Sequence, residues 1–157
     1  MNMICTTHRK KLCITLLIIN LAFIWGNSLL PGEMSGAFSM WVKNLLFHFV
    51  PSGGNPQTGH GLLRKLAHFT EFCCLGVLLC WLMAMFRKKP WRSLIYSVLA
   101  ACIDEGIQCF VPERGPGIRD VMIDTAGAAV GMLLLLAGYA IYKKRKKKHL
   151  NLKENVK

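Results

Sequence analysis

Between Ala100 and Asp124 the chain places Asp104, Glu105, Gln108, Asp120 and Asp124 into and between two strongly apolar runs. A carboxylate at the centre of a membrane-spanning helix costs roughly 2.5 to 3.5 kcal/mol, and somewhat less toward the helix ends. Such groups are retained for packing partners, for a ligand or for chemistry. A second constellation, Arg64-Lys65-Leu-Ala-His68-Phe-Thr-Glu71, opens another apolar run, and residues 64, 68 and 71 share one helical face. Arg64, Lys65 and Arg114 suit a phosphate or carboxylate partner, arginine through paired hydrogen bonds. His68 with Glu71, Asp104, Glu105 and Asp124 is the set from which a general acid or base would come. The same imidazole and carboxylates could hold Zn, Mn or Mg, but spacing alone gives no complete ligand set, so the sequence assigns no cofactor and leaves a metal open. A third use is structural: a network of ion pairs and hydrogen bonds holding helices in register.

The elements that must position these groups are apolar and long. The chain has 157 residues, 53% of them hydrophobic, with a mean hydropathy of +0.36, which favours one membrane domain over a soluble globule. Four runs, residues 12–30, 66–86, 91–111 and 121–142, can each cross ~30 Å of hydrocarbon at 1.5 Å per residue. The predicted fold is all-α: a polytopic four-helix transmembrane bundle over residues 12–142, after a basic N-terminus (1–11) and before a polybasic tail (143–157). The first run follows Arg9, Lys10 and Lys11, but no A-x-A-like site succeeds it, so it reads as a retained span rather than a secretory signal. In the first outer loop, Phe38, Trp41, Val42, Leu45, Leu46 and Phe49 recur at three- and four-residue spacing. That pattern predicts a short interfacial amphipathic helix, lying on the outer leaflet or against the end of the bundle. Pro51 to Gly61 reads as a flexible connection.

The net charge of +12 is segregated. Fifteen of the twenty basic residues fall at the N-terminus, in the 87–92 turn or in the tail, whereas seven of the eight acids fall on the other side. The positive-inside rule therefore predicts a cell-membrane protein with both termini in the cytoplasm. Lys143 to Lys148 directly follow a span and act there as a topology anchor beside anionic membrane lipids, so no nucleic-acid partner is expected. Six of the seven cysteines sit in apolar runs, and no C-x-x-C pair occurs. Neither a zinc ribbon nor a disulfide framework is indicated.

Alternating spans bring the polar sets to one depth. The first turns of the second helix, the last turns of the third and the first turns of the fourth all lie in the outer half. On the fourth helix Asp120, Asp124, Gly127 and Gly131 form one stripe, and the GxxxG pattern Gly127 to Gly131 lets another backbone approach closely. That contact would press Asp124 inward, against the second or third helix, or serve homo-oligomerisation.

Taken together, R-K-x-x-H-F-x-E-F (Arg64 to Phe72), D-E-x-x-Q-x-F-x-P-x-R (Asp104 to Arg114) and D-x-x-x-D-x-x-G (Asp120 to Gly127) resemble the VanZ-like membrane proteins over roughly Leu12 to Tyr142. Phe72 stands where that family commonly has tyrosine, and Asp124 where it commonly has asparagine. The resemblance implies an association with resistance to lipid-tailed glycopeptides of the teicoplanin kind. The expected site is an outer-leaflet pocket formed by Arg64, Lys65, His68, Glu71, Asp104, Glu105, Gln108, Arg114, Asp120 and Asp124. Its expected ligand is a lipid-linked cell-wall precursor or a lipoglycopeptide. The alternative is an intramembrane enzyme acting on a lipid-linked or peptide substrate, with His68 and the nearby carboxylates as its machinery.

Overall fold

In a bilayer every backbone polar group must be satisfied within the chain, which leaves helices as the economical form for long apolar runs. The computed structural model describes residues 2–31, 59–112, 114–115 and 117–154, and its regular elements are four helices. They are α1 (Asn2–Ser28), α2 (Gly59–Met85), α3 (Arg92–Gln108) and α4 (Ile118–Glu154). Helix α4 runs unbroken through Lys143 to Lys148, so the basic tail continues the last helix. Helix α2 begins at Gly59, inside the stretch expected as a flexible connection. The amphipathic helix expected over Phe38 to Val50 lies outside the described residues.

Three helices are long and apolar enough to cross a membrane: Thr7–Ser28, Arg64–Met85 and Ile118–Lys148. The third expected span is shorter than its apolar run implied. Helix α3 has 17 residues, about 25 Å at 1.5 Å per residue. It starts only after the Arg87–Pro90 turn, in which Arg87 takes a positive φ of 54°, and it ends where Cys109 to Val111 tighten into a turn. Its buried face is polar and small: Ser93, Ser97, Ala100, Ala101, Asp104, Glu105 and Gln108. Among the described residues, length and composition thus make three helices candidate spans, with α3 packed against all of them.

The directions alternate. Near one end of the bundle the Cys13 thiol donates to the Leu78 carbonyl at 3.5 Å, and Lys10 Nζ lies 4.8 Å from the centre of the Phe86 ring. At the other end the Gln108 amide donates to Ser28 Oγ at 3.3 Å. Helix α1 therefore runs opposite to α2 and alongside α3. Between them lies a small apolar core of Ile24, Phe72, Leu75, Leu79, Ala100 and Ala101. Many large apolar side chains, among them Ile18, Phe23, Leu133 and Leu134, are left exposed on the outside, as a lipid-facing surface requires.

Helices α2 and α4 run parallel and make the closest contact in the bundle. A Cβ added at Gly127 would run into the Phe69 backbone, one at Gly131 into the Cys73 backbone, and one at Gly76 into the Ala128 backbone. Glycine is required at these three positions by the approach of the two main chains. Gly138, further along α4, meets nothing. Gly131→Val should destabilise the bundle by roughly 1–3 kcal/mol or more, whereas Gly138→Ala should be neutral or slightly stabilising. Unfolding of the two variants in detergent micelles checks this; equal behaviour would refute the close contact.

Candidate functional site

The polar end of the bundle is built from all four helices. Helix α2 carries Arg64, Lys65, His68 and Glu71 on its first described turns, and α3 contributes Asp104, Glu105 and Gln108 from its last two. Helix α4 brings Asp120 and Asp124 from its first two turns, and α1 supplies Asn27 and Ser28 from its last. The 109–117 turn supplies Arg114 and the backbone of Gly117.

The contacts form a connected set. His68 Nδ1 lies 3.7 Å from Glu71 Oε2 and 3.9 Å from Asp104 Oδ2. Asn27 Nδ2 donates to Glu71 Oε1 at 3.0 Å. Gln108 Nε2 donates to Asp104 Oδ2 at 2.9 Å as well as to Ser28. Glu105 leaves the Asp104 face and accepts from the Gly117 N–H at 2.7 Å, so it fastens the turn leading into α4. At the edge, Lys65 Nζ lies 3.6 Å from Asp120 Oδ1, with both side chains partly exposed. An exposed pair of this kind contributes little to stability.

The deeper groups are another matter. Asp104 is fully buried, Asp124 is 2% exposed, and His68 and Arg114 are nearly buried. His68 Nδ1, Glu71 Oε2, Asp104 Oδ1, Asp124 Oδ1 and both Nε and Nη2 of Arg114 have no hydrogen-bond partner among the described residues. A buried polar atom left unpaired costs about 1–3 kcal/mol. These atoms keep hydrogen-bonding capacity for a water, an ion or a ligand. Burial first, and then the cationic Arg64, lower the pKa of Arg114, a shift that still leaves a guanidinium charged.

A small cavity opens into this cluster, lined by Arg64, Lys65, His68, Glu105, Gln108, Asp120, Ile123 and Asp124. Its volume is about 10 Å³, the space of a single water or ion. Glu71, Asp104 and Arg114 do not belong to the lining. Arg114 instead donates from Nη1 to the Ser28 carbonyl at 3.3 Å, which ties the 109–117 turn to the end of α1. A bulky group does not fit inside, and the lining cations Arg64 and Lys65 are only partly buried. The interior has room to exchange a proton through one water or to hold an ion.

Sequence reasoning assigned no site role to α1. Asn27 and Ser28 are nonetheless direct partners of Glu71, Gln108 and Arg114. The available signal was their depth, since two polar residues end a span at the level where the other helices carry theirs.

Asn27→Ala would strip Glu71 of its side-chain donor and should cost roughly 1–3 kcal/mol. In a double-mutant cycle with Glu71→Gln, measured by unfolding in micelles, a coupling of at least about 0.5 kcal/mol is expected. Additive losses would show that the contact carries no energy.

A sequence model of the VanZ/LLP1 family matches residues 12–141, a range containing every residue of the cluster. No curated protein and no solved structure gives a significant match. With three apolar helices of spanning length and a family match over most of its sequence, the chain belongs to the VanZ/LLP1 family.

Proposed function

We propose that this protein is a four-span cell-membrane protein, N-in and C-in, whose outer-leaflet site grips the anionic head group of an amphiphile. Its ligand class is a lipid-linked cell-wall precursor or a lipoglycopeptide, and its biological role is resistance to teicoplanin-type antibiotics. The observation that carries this reading is the lining of the polar cavity, in which the cations Arg64 and Lys65, both only partly buried, join the carboxylates of Glu105, Asp120 and Asp124. Arg64 makes no ion pair among the described residues, so its guanidinium is available to a phosphate or carboxylate. Lys65 is steadied by Asp120 without being buried by it. Behind the cations, Glu105 and Gln108 offer groups that could bond sugar hydroxyls or amides of the same ligand.

The orientation is supported by the way charge is distributed over the bundle. The Lys10–Phe86 contact brings Arg9 to Lys11 and Arg87 to Lys89 to one end, and α4, parallel to α2, carries Lys143 to Lys148 toward that same end. An even number of crossings follows if these segments all stay in the cytoplasm. Helix α3 would then cross at about 25 Å, and local thinning of the bilayer accommodates the shortfall at modest cost. Residues 1–11 and 143–157 flank the membrane domain in this reading, and membrane lipids are its standing partners.

A second reading, an intramembrane enzyme for a lipid-linked or peptide substrate, draws on the position of His68 between the carboxylates of Glu71 and Asp104. That geometry suits proton transfer. The two readings separate on His68→Ala. A binding protein keeps part of its resistance phenotype, while an enzyme loses the phenotype with ligand binding intact.

Two further measurements check the proposal. With the protein in nanodiscs, Arg64→Ala/Lys65→Ala should weaken binding of a polyprenyl-pyrophosphate cell-wall precursor or of teicoplanin roughly 10- to 100-fold, as two lost charge-assisted contacts imply. Unchanged binding by a folded double variant would contradict it. For topology, in a background stripped of other cysteines, a membrane-impermeant thiol reagent applied to intact cells should label Cys109 and spare Lys146→Cys; the reverse pattern would overturn the orientation.

A further inference from the structure

His68, Asp104 and Asp124 come from α2, α3 and α4, and each offers a donor atom lying within 4.8 Å of the other two. All three are buried. Each of the three residues also has a buried polar atom without a hydrogen-bond partner, Asp104 Oδ1, Asp124 Oδ1 and His68 Nδ1, so each keeps capacity to bind a cation. Charge balance points the same way. Glu71, Asp104, Glu105 and Asp124 crowd this end of the bundle, and the one deeply buried guanidinium beside them, Arg114, makes its hydrogen bond to a main-chain carbonyl. A carboxyl group inside a low-dielectric bundle is neutralised either by a proton or by a cation, and a bound metal ion is one such cation.

We propose that His68, Asp104 and Asp124 form a binding site for a divalent transition-metal ion, Zn²⁺ or Mn²⁺. One imidazole with two carboxylates matches these ions better than Ca²⁺, which takes six to eight oxygens. Bonds of about 2.0–2.2 Å set neighbouring donors roughly 3–3.5 Å apart, so donor atoms now within 4.8 Å of one another each move inward by less than about 1 Å on binding. Small side-chain rotations achieve this, and the adjoining cavity of about 10 Å³ has room for an ion. Glu71 Oε2, also unpaired and 3.7 Å from His68 Nδ1, stands beside the site as a further oxygen. Three protein ligands leave coordination positions open toward the cavity mouth, where an anionic oxygen of a head group would complete the shell beside Arg64. That last step rests on the head-group reading above; binding of the ion does not.

The full-length protein, purified in detergent without chelator, is assayed for metal content and then, after chelation, titrated with Zn²⁺ or Mn²⁺ alone while its thermal unfolding is followed. Wild type should retain or rebind close to one ion per chain and unfold at a higher temperature with the ion present, as ligand linkage requires. Asp124→Asn and Asp104→Asn, near-isosteric changes that remove a ligand charge, should weaken the ion at least roughly tenfold, whereas Asp120→Asn at the rim should not. Each variant's elution and unfolding profile shows whether it is folded, and Asp124→Asn alone suffices if Asp104→Asn is not. No retained ion and no thermal shift in wild type would overturn the site. Equal binding by wild type and Asp124→Asn would overturn it too, by placing the ion elsewhere, such as on cysteines. No amphiphile is present, so this result is independent of whether Arg64 and Lys65 bind a head group.

Discussion

The close approach of α2 and α4 fixes the depth of everything else. Where Gly127 and Gly131 lie against the backbones of Phe69 and Cys73, and Gly76 against Ala128, the two main chains have almost no freedom to slide. Helix association in lipid draws little from the hydrophobic effect and much from packing. The polar first turns of both helices are thereby held at one level. Once His68 and Asp124 are level, α3 can offer Asp104 and Gln108 only from its last turns, and α1 can offer Asn27 and Ser28 only from its end. The cluster is thus a consequence of three small residues as much as of its own charges.

The bundle is electrically two-ended. Arg9 to Lys11, Arg87 to Lys89 and Lys143 to Lys148 gather at one end; Glu71, Asp104, Glu105, Asp120 and Asp124 gather at the other. The apolar core between them gathers around Phe72, Leu75 and Ala101. Phe72 is wholly buried, and a phenol in its place would bring a hydroxyl needing a partner in that core.

Much of this was legible in the sequence because membrane helices write strong signals. Charge asymmetry, apolar run length and the placement of Arg64, His68 and Glu71 on one face follow from simple periodicities, and the family match covers the same residues. The glycine contact was legible in type and its partner was narrowed to the second or third helix; tertiary placement selects α2. What stayed hidden depended on tertiary placement. The shortness of α3 comes from turns at both its ends rather than from its composition, the role of Asn27 and Ser28 needed α1 to be docked, and the burial of Arg114 needed the 109–117 turn to fold back on Ser28. The loop over Phe38 to Val50 has a clear amphipathic pattern in sequence and no described structure to set beside it.

The central claim is that all four helices deliver polar groups to one level at one end of the bundle. Oxidative cross-linking in native membranes tests it most directly, using Ser28→Cys with Gln108→Cys in a background free of other cysteines. The account predicts rapid disulfide formation for this pair and none for Ser28→Cys with Ser93→Cys, which lies at the opposite end of α3. Failure of the first pair to cross-link, or cross-linking of the second, would contradict it.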